Sequence, residues 1–421
     1  MADPDLKTRN HKPNYAYKAS VNLNNMIYEE CFNPQARRPF YFYGSNGKKY
    51  LHFKNQSQII LPYKDAMIER RVVLLPSEPM DYGSDNDLFN YIVKFIHELA
   101  AVSKPYEIIS ACYVMMSWVY ECFGSLPYLR VLGDYNTGKT RYLDVVGSIL
   151  YRPLKCIGAS SSAAMFRSMD KYRGSTVLDE GDFRNTNEKS DFIKILNSGY
   201  QKDGYILRTI QTRDKNFEPV PFDCYGPKVI ATRYKFKDQA IESRCITESM
   251  NNKMRKDIPL NLPPTFHKEA LKIRNMLLQW RFDKYFTMQP ASTFKSSLIE
   301  PRLNQIAIPL LSVIRRRKIQ SEVMRFFNSY KEQIIQERRT SPEAGVLAAI
   351  KKLKRIGIDI TVGDVTNELN KQRDGRSKLK PKKIGDIIRN QLSFNTHKTN
   401  RGYQIICSEN EVNYLAQKFG V

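Results

Sequence analysis

The chain is poor in metal-binding side chains. Its seven cysteines, at 31, 112, 122, 156, 224, 245 and 407, never fall as C-x-x-C, and only five histidines accompany them. That spacing argues against a structural zinc. Scattered cysteines in a chain without a signal peptide read as reduced, buried side chains of a cytoplasmic protein, or of the host cytoplasm if the source is viral. No apolar run approaches the ~18–20 residues of a bilayer crossing, so no membrane partner is expected. The first residues, Met1 to Lys7, hold no apolar signal core, which argues against secretion. Their abrupt start reads as an artificial junction or a chain cut from something longer. Internal repeats and low-complexity tracts are also missing.

Negative charge is the scarcer sign. Asp and Glu number 43 against 67 Lys and Arg, a formal surplus of +24. Such a surplus favours polyanionic partners through counterion release and steering, and nucleic acid is the commonest of these. Anionic membrane is the rival, but no long helix faced with Lys and Arg supports it. Hydrophobic residues at 42% and aromatics at 11% exclude a wholly disordered chain. A length of 421 residues suggests roughly two to four domains.

Patterning divides the chain into four. Residues 1–85 read as a small, mostly β module. Tyr41 to Phe53 places two aromatic-rich arms around a Gly/Asn turn, a hairpin signature, and short strands follow at Gln58–Leu61 and Arg71–Leu75. Residues 86–262 begin with two helices, the first striped by Leu88, Ile92, Phe95, Ile96 and Leu99, and continue as alternating strands and helices. Residues 263–341 read as helices alone, and residues 342–421 as a compact α/β unit.

Gly133-Asp134-Tyr135-Asn136-Thr137-Gly138-Lys139-Thr140 fits G-x-x-x-x-G-K-[ST] without a mismatch. The strand-like Tyr128–Leu132 precedes it, and Leu143, Val146, Ile149 and Leu150 stripe a helix after it, the context this motif requires. Glycines let backbone N–H groups turn inward around phosphates, and the helix N-terminus adds partial positive charge. Lys139 is then expected to reach the β- and γ-phosphates of ATP, and the Thr140 hydroxyl to bind Mg²⁺. Forty residues after the lysine, Gly174 to Glu180 forms a short apolar strand ending in Asp179-Glu180. Asp179 suits the metal side, and Glu180 suits a base that orients and deprotonates water. A phosphotransferase needs no such water base, so hydrolysis of ATP is favoured over transfer.

The order of motifs carries a resemblance. The loop and the Asp-Glu strand are followed by Leu196 to Gly204, then Gly226 to Thr232, then Glu242-Ser243-Arg244. This succession resembles AAA+ replicative DNA helicases, in particular the superfamily 3 and minichromosome-maintenance-like helicases of phages, plasmids and genomic islands. In that group the helicase often follows a primase-polymerase domain, and this chain looks like the helicase half of such a phage protein. The resemblance covers roughly residues 88–340.

The resemblance implies a P-loop AAA+ core with a helical lid at 263–341; with the small N-terminal β/α collar and the C-terminal winged helix read from the flanking residues, the expected fold class is α/β. It implies that Ile230-Ala231-Thr232 is the sensor-1 strand, where this chain offers Thr232 and then Arg233 in place of the usual Asn. It implies that Arg244 is the finger entering a neighbouring subunit's ATP site, a task suited to a permanently charged forked group. Arg302, at the start of a lid helix, would be the sensor-2 arginine. A finger acting in trans makes the protein a homo-oligomer, by resemblance a hexameric ring around single-stranded DNA at a forked duplex. Lys202 falls where these families carry a DNA-contacting hairpin, with Arg213 and Lys215 in a second turn.

In the last unit Val346, Leu347, Ile350 and Leu353 stripe one helix, Thr361 caps another, and Pro381 opens a third carrying Ile384, Ile387, Ile388 and Leu392. Strands at Gln391–Thr396 and Gly402–Ile406 are expected to follow. Three helices and a β-wing look like a winged helix. Residues 343–421 hold 15 Lys and Arg against 8 Asp and Glu, a net of +7. Lys382, Lys383, Arg389 and Arg401 are the DNA-contacting candidates, since cationic helix positions beside a basic hairpin can grip phosphates. Together these readings point to an ATP-driven replicative helicase, with an ATP-gated DNA-binding initiator or regulator as the non-motor alternative.

Overall fold

The computed structural model describes residues 14–23, 26–44, 48–55, 58–156, 160–179, 186–211, 214–250, 255–291, 294, 299–357, 359–371, 373 and 377–421. In chain order the strands are β1 (Asn14–Tyr17), β2 (Ser20–Leu23), β3 (Met26–Asn33), β4 (Arg38–Tyr43), β5 (Lys48–Tyr50), β6 (Phe53–Asn55) and β7 (Gln58–Leu61). Helices α1 (Ala66–Glu69), α2 (Asp85–Leu99) and α3 (Lys104–Ser117) follow. Then come β8 (Tyr128–Leu132), α4 (Lys139–Gly147), β9 (Leu154–Cys156), α5 (Ser162–Tyr172), β10 (Thr176–Leu178) and α6 (Thr186–Ser198). Next are β11 (Tyr205–Gln211), β12 (Phe217–Asp223), β13 (Lys228–Thr232), α7 (Gln239–Glu242) and β14 (Cys245–Ser249). The chain ends with α8 (Phe266–Lys284), α9 (Pro301–Ser312), α10 (Arg317–Arg339), α11 (Pro342–Lys354), α12 (Val362–Asn370), α13 (Pro381–Asp386), β15 (Asn395–Thr399), β16 (Gly402–Ile406) and α14 (Glu409–Phe419). The fold is mixed α/β in two compact units, Met1–Met324 and Arg325–Val421. Among the described residues no helix is long and apolar enough to cross a membrane.

The first unit is built on a five-stranded sheet in the order β14-β8-β13-β10-β9, every pair parallel. Its strands Tyr-Leu-Arg-Val-Leu, Thr-Val-Leu and Lys-Val-Ile-Ala-Thr are buried almost without alternation, as expected of a parallel sheet covered on both faces. Strands β11 and β12 form a separate antiparallel ribbon on which Tyr205, Leu207 and Phe217 are exposed. Strands β2 to β5 make an antiparallel sheet, and β1, β7 and β6 another.

The expected hairpin at Tyr41–Phe53 pairs Tyr41 with Tyr50 and Tyr43 with Lys48, and β7 forms at Gln58–Leu61. The strand expected at Arg71–Leu75 does not form. The N–H groups of Val72 and Val73 both donate to the Met67 carbonyl, and Arg71 turns left-handed with φ 58°. The end of α1 consumes the donors a ladder would need, and one bridge, Val73 to Leu154, is left.

Buried charge joins β3 to the central sheet. Glu29 accepts from Arg281 Nε at 2.7 Å, Arg152 Nη2 at 2.6 Å and the Tyr151 hydroxyl at 2.9 Å. Arg281 also grips Glu121 with both terminal nitrogens, at 2.7 and 3.0 Å. The next residue, Glu30, points to the opposite face of the strand and is buried with no side-chain hydrogen-bond donor on its carboxylate among the described residues, the Tyr63 backbone being the group directed toward it. Burial pushes its carboxyl from 4.5 up to about 8. Between those values the unfolded chain gives up this proton and the folded chain keeps it, so stability falls as pH rises. Glu30→Gln is therefore expected to raise the unfolding temperature by an amount that grows from pH 4.5 to about 8 and then levels off. Melting curves across that range check it, and an advantage independent of pH would contradict it.

The second unit packs Val346, Leu347, Ile350, Val365, Ile384, Ile388, Leu392 and Val412 into one core. Thr361 caps α12 in a reciprocal box with Asp364. The helix after Pro381 runs on as a π turn over Ile387–Gln391, with Leu392 N donating to the Ile387 carbonyl. That extension, and a left-handed Ser393 with φ 57°, delay the first strand of the hairpin to Asn395.

Candidate functional site

The carboxyl ends of β8, β13 and β10 lie at one edge of the central sheet. Register sets Thr232 beside Leu132 and Ile230 beside Leu178, so the segments leaving these strands are neighbours. In open α/β sheets this edge is where ligands are held. A cavity of about 450 Å³ opens there, lined by Tyr135 to Arg141, Asp179, Ala231, Thr232 and Arg233.

Local sequence explains the loop. Gly138, at the N-terminus of α4, has φ +87°, and Asn136 is also left-handed at φ 59°. At Gly133 a Cβ would stand 2.8 Å from Thr137 Oγ1 and 2.9 Å from the Met250 carbonyl, so no side chain fits. Thr137 Oγ1 donates to the Asp134 carbonyl at 2.8 Å, closing the turn. Lys139 Nζ folds back onto the carbonyls of Gly133 at 2.6 Å and Asp134 at 2.5 Å. These features fit an anion: glycines that keep side-chain bulk off the loop, a helix start and a lysine ammonium at the loop. Thr232 is 1% exposed, and its Oγ1 has no hydrogen-bond partner among the described residues. Thr232 is one of the lining residues, so a buried hydroxyl that is not otherwise engaged lies beside the cavity.

Of the residues singled out by sequence, the cavity thus gathers Lys139, Thr140, Asp179 and Thr232, with Gly133 and Asp134 contributing carbonyls to Lys139. Glu180 and Arg213 lie outside the described residues. Arg244 does not line the cavity. It is 7% exposed, donates to Asn197 Oδ1 at 2.8 Å and lies 3.8 Å over the Tyr200 ring of its own chain. Arg302 bonds Gln305 at 2.7 Å and stands 6.0 Å from the same ring. The two arginines therefore share one aromatic platform away from the loop.

Lys202 is exposed at the turn before β11 and donates to the Glu121 carbonyl at 3.1 Å. Lys215, exposed with φ 63°, sits at the far turn of the β11–β12 ribbon. In the second unit Lys382, Lys383, Arg389 and Arg401 are exposed. Arg389 pairs with Asp386 at 3.3 Å and lies 5.9 Å from the Tyr403 ring, while Arg401 lines a hollow with Asp359 and Asp364.

Sequence reading missed two features. Arg130 is buried on β8 and binds Glu242 through two nitrogens, which fixes the helical turn before Arg244. Lys228 is buried at the start of β13, and its ammonium donates to the carbonyls of Gly199, Cys224 and Gly226 at 3.0, 2.7 and 3.0 Å. Burial pushes its pKa down to about 8. A lysine followed by apolar β-branched residues gives no sign that its side chain turns inward.

No protein-family model and no curated protein matches the chain. Among solved structures it is similar to the A-form apo structure of the NrS-1 C-terminal region, at 12% identity and a TM-score of 0.37, over 90% of this chain and 84% of that one. Two further apo structures of that region match at 10% identity and TM-scores of 0.35 and 0.36, each over 90% of this chain and 96% or 95% of theirs.

Proposed function

We propose that the chain is an ATP-dependent replicative DNA helicase whose phosphate site is the loop Gly133–Thr140. The observation that carries this reading is that one cavity is lined by Lys139, Thr140, Asp179 and Thr232, whose buried hydroxyl has no partner among the described residues. Lys139 would leave the loop carbonyls for phosphate oxygens, and backbone N–H groups of the loop would hold the remaining charge. The Thr140 hydroxyl and the Asp179 carboxylate would hold Mg²⁺, which supplies neutralisation of charge on the phosphates. Thr232 Oγ1 would donate to the attacking water or a phosphate oxygen, and Glu180 would take the water's proton.

The surplus of +24 supports single-stranded and forked DNA as the partner. The exposed β11–β12 ribbon, with aromatic and aliphatic side chains along it and Lys215 at its turn, suits contact with a strand by stacking and charge. Lys382, Lys383, Arg389 and Arg401 would bind phosphates in the second unit. Assembly as a hexamer would require Arg244 to exchange Asn197 and Tyr200 for a neighbour's phosphate. A primase-polymerase domain preceding the chain belongs to the same proposal.

Strand displacement on a forked duplex with ATP and Mg²⁺ tests the reading, with Lys139→Ala alongside. Displacement by the wild type alone is expected. Hydrolysis stimulated by DNA without displacement would replace the motor with an ATP-gated initiator or regulator. Equal hydrolysis by both proteins would remove the phosphate site.

A further inference from the structure

We propose that the outer face of the three-stranded sheet β1-β7-β6, with Tyr15 and Tyr17 as its stacking platforms, binds a single-stranded polynucleotide. The assignment stands apart from the phosphate loop, since it needs neither ATP nor hydrolysis. Strand β1 runs parallel to β7, with Tyr15 beside Ile59 and Tyr17 beside Leu61, and β6 sets Lys54 on the other side of Ile59. These five side chains therefore share one face. Ile60 and Phe53, paired on the opposite face, pack into the core of this module with Val21 and Tyr41. On the outer face Tyr15 is 54% and Tyr17 53% exposed, so core packing does not account for the two rings.

Ring spacing and charge select the occupant. Alternate residues of a strand stand about 6.6 Å apart, against ~3.4 Å between stacked bases in duplex DNA. Bases lying on both rings must therefore part from one another, which a single strand allows and a duplex does not. The row of rings continues past β1. The Tyr63 ring lies 6.3 Å from that of Tyr17 and within 21° of parallel, and Lys171 Nζ sits 4.8 Å from its centre. Asp65 accepts from Lys171 at 2.6 Å and from the Tyr172 hydroxyl at 2.7 Å, which offsets that carboxylate's charge. Residues 14–64 hold seven Lys and Arg, every one exposed, and two acids, Glu29 and Glu30, both buried. The charge this module turns to solvent is thus all positive. Lys18 follows Tyr17, Lys64 follows Tyr63, and Lys54 pairs with Ile59 on the tyrosine face. A polyanion with planar groups matches both the rings and the cations, whereas an apolar protein segment matches the rings alone.

Binding of a fluorescently labelled oligothymidylate of about twelve nucleotides to the full chain, without ATP, tests this. Tyr15→Ala combined with Tyr17→Ala is expected to weaken it about tenfold or more. The same strand with central abasic positions should bind the wild type and the double variant alike, since stacking is what separates the two proteins. Lys54→Gln should instead lower the slope of log affinity against log salt by about 0.7 and leave the dependence on bases in place. A strand carrying 5-iodouracil, irradiated on the wild type, should attach to Tyr15 or Tyr17, and peptide masses locate the bond. Because Tyr17 packs beside Tyr63, Tyr15→Ala alone carries the test if the double variant does not fold. Undiminished binding by the double variant, with cross-links only on the β11–β12 ribbon or the second unit, overturns the assignment. So does a double variant that keeps its affinity for the strand but loses self-association, which would make the face a contact between copies of this chain. Equal weakening of the intact and abasic strands also overturns it, since charge alone would then bind.

Discussion

Glu29→Gln is expected to lower the unfolding temperature of the first unit by about 10 °C, more than any surface change in it. The substitution keeps the shape of the side chain but removes its charge and turns one accepting oxygen into a donor. Arg152 and Arg281 are 1% and 0% exposed, and both converge on this carboxylate. Burial alone would push Glu29 up, but Arg281 and Arg152 outweigh it and hold the carboxyl below its usual range. Breaking one member of such a buried set costs about 3–5 kcal/mol, because the remaining charges have no water to turn to. At about 2–4 °C per kcal/mol for a large domain, that gives the stated shift. Calorimetry reads it directly, and a change under about 2 °C would show that Arg152 and Arg281 are satisfied elsewhere. Adding Arg152→Met to Glu29→Gln should recover part of the loss, since Glu121 still serves Arg281. The depressed pKa also fixes a direction with pH. This contribution is present above the ordinary carboxylate range and is lost as pH falls below it. Glu30, one residue away, does the reverse.

The second large effect is at Asp179. Asp179→Asn should reduce ATP hydrolysis by about a thousandfold while nucleotide binding without Mg²⁺ stays near wild type. On the proposed reading the amide matches the carboxylate in shape but carries no charge for Mg²⁺, whose electrostatic contribution would be worth several kcal/mol in the transition state. Phosphate release measured against Mg²⁺ concentration checks it. Turnover near wild type would take Asp179 out of the site. Stability should hardly change, since Asp179 is half-buried and its backbone N–H, which the substitution leaves intact, pairs with Cys156.

What could be read in advance was what is contiguous. The loop, its flanking strand and helix, and the Asp179 strand each occupy a few consecutive residues, so spacing and period were enough. Thr361 likewise announces α12 by its capping box. The pairing of Tyr135 with Arg233, whose guanidinium carbon lies 3.7 Å from the ring centre, had no such signal, because it depends on β13 lying directly beside β8, and neighbour order in a parallel sheet is not written in either strand. The β11–β12 ribbon showed only its turn. Pro219 and Pro221 argue against a strand, yet a two-stranded ribbon tolerates them because their nitrogens need not bond a further strand. The last helix, α14, was legible and overlooked. Ser408 and Glu411 form a capping box before it, and Gly420 closes it left-handed. Arg244 illustrates the opposite limit: a motif position suggests a task, but the side chain's present partners are Asn197 and Tyr200.

Strand β13 has a different chemistry at each end. Thr232 at one end faces the cavity, and Lys228 at the other clamps the carbonyls of Gly199, Cys224 and Gly226. Those three residues bracket the root of the β11–β12 ribbon. Five residues of extended chain span about 13 Å and do not shorten. β13 thus sets a fixed distance between the cavity and the root of the ribbon, and the ammonium of Lys228 is the rivet at its far end.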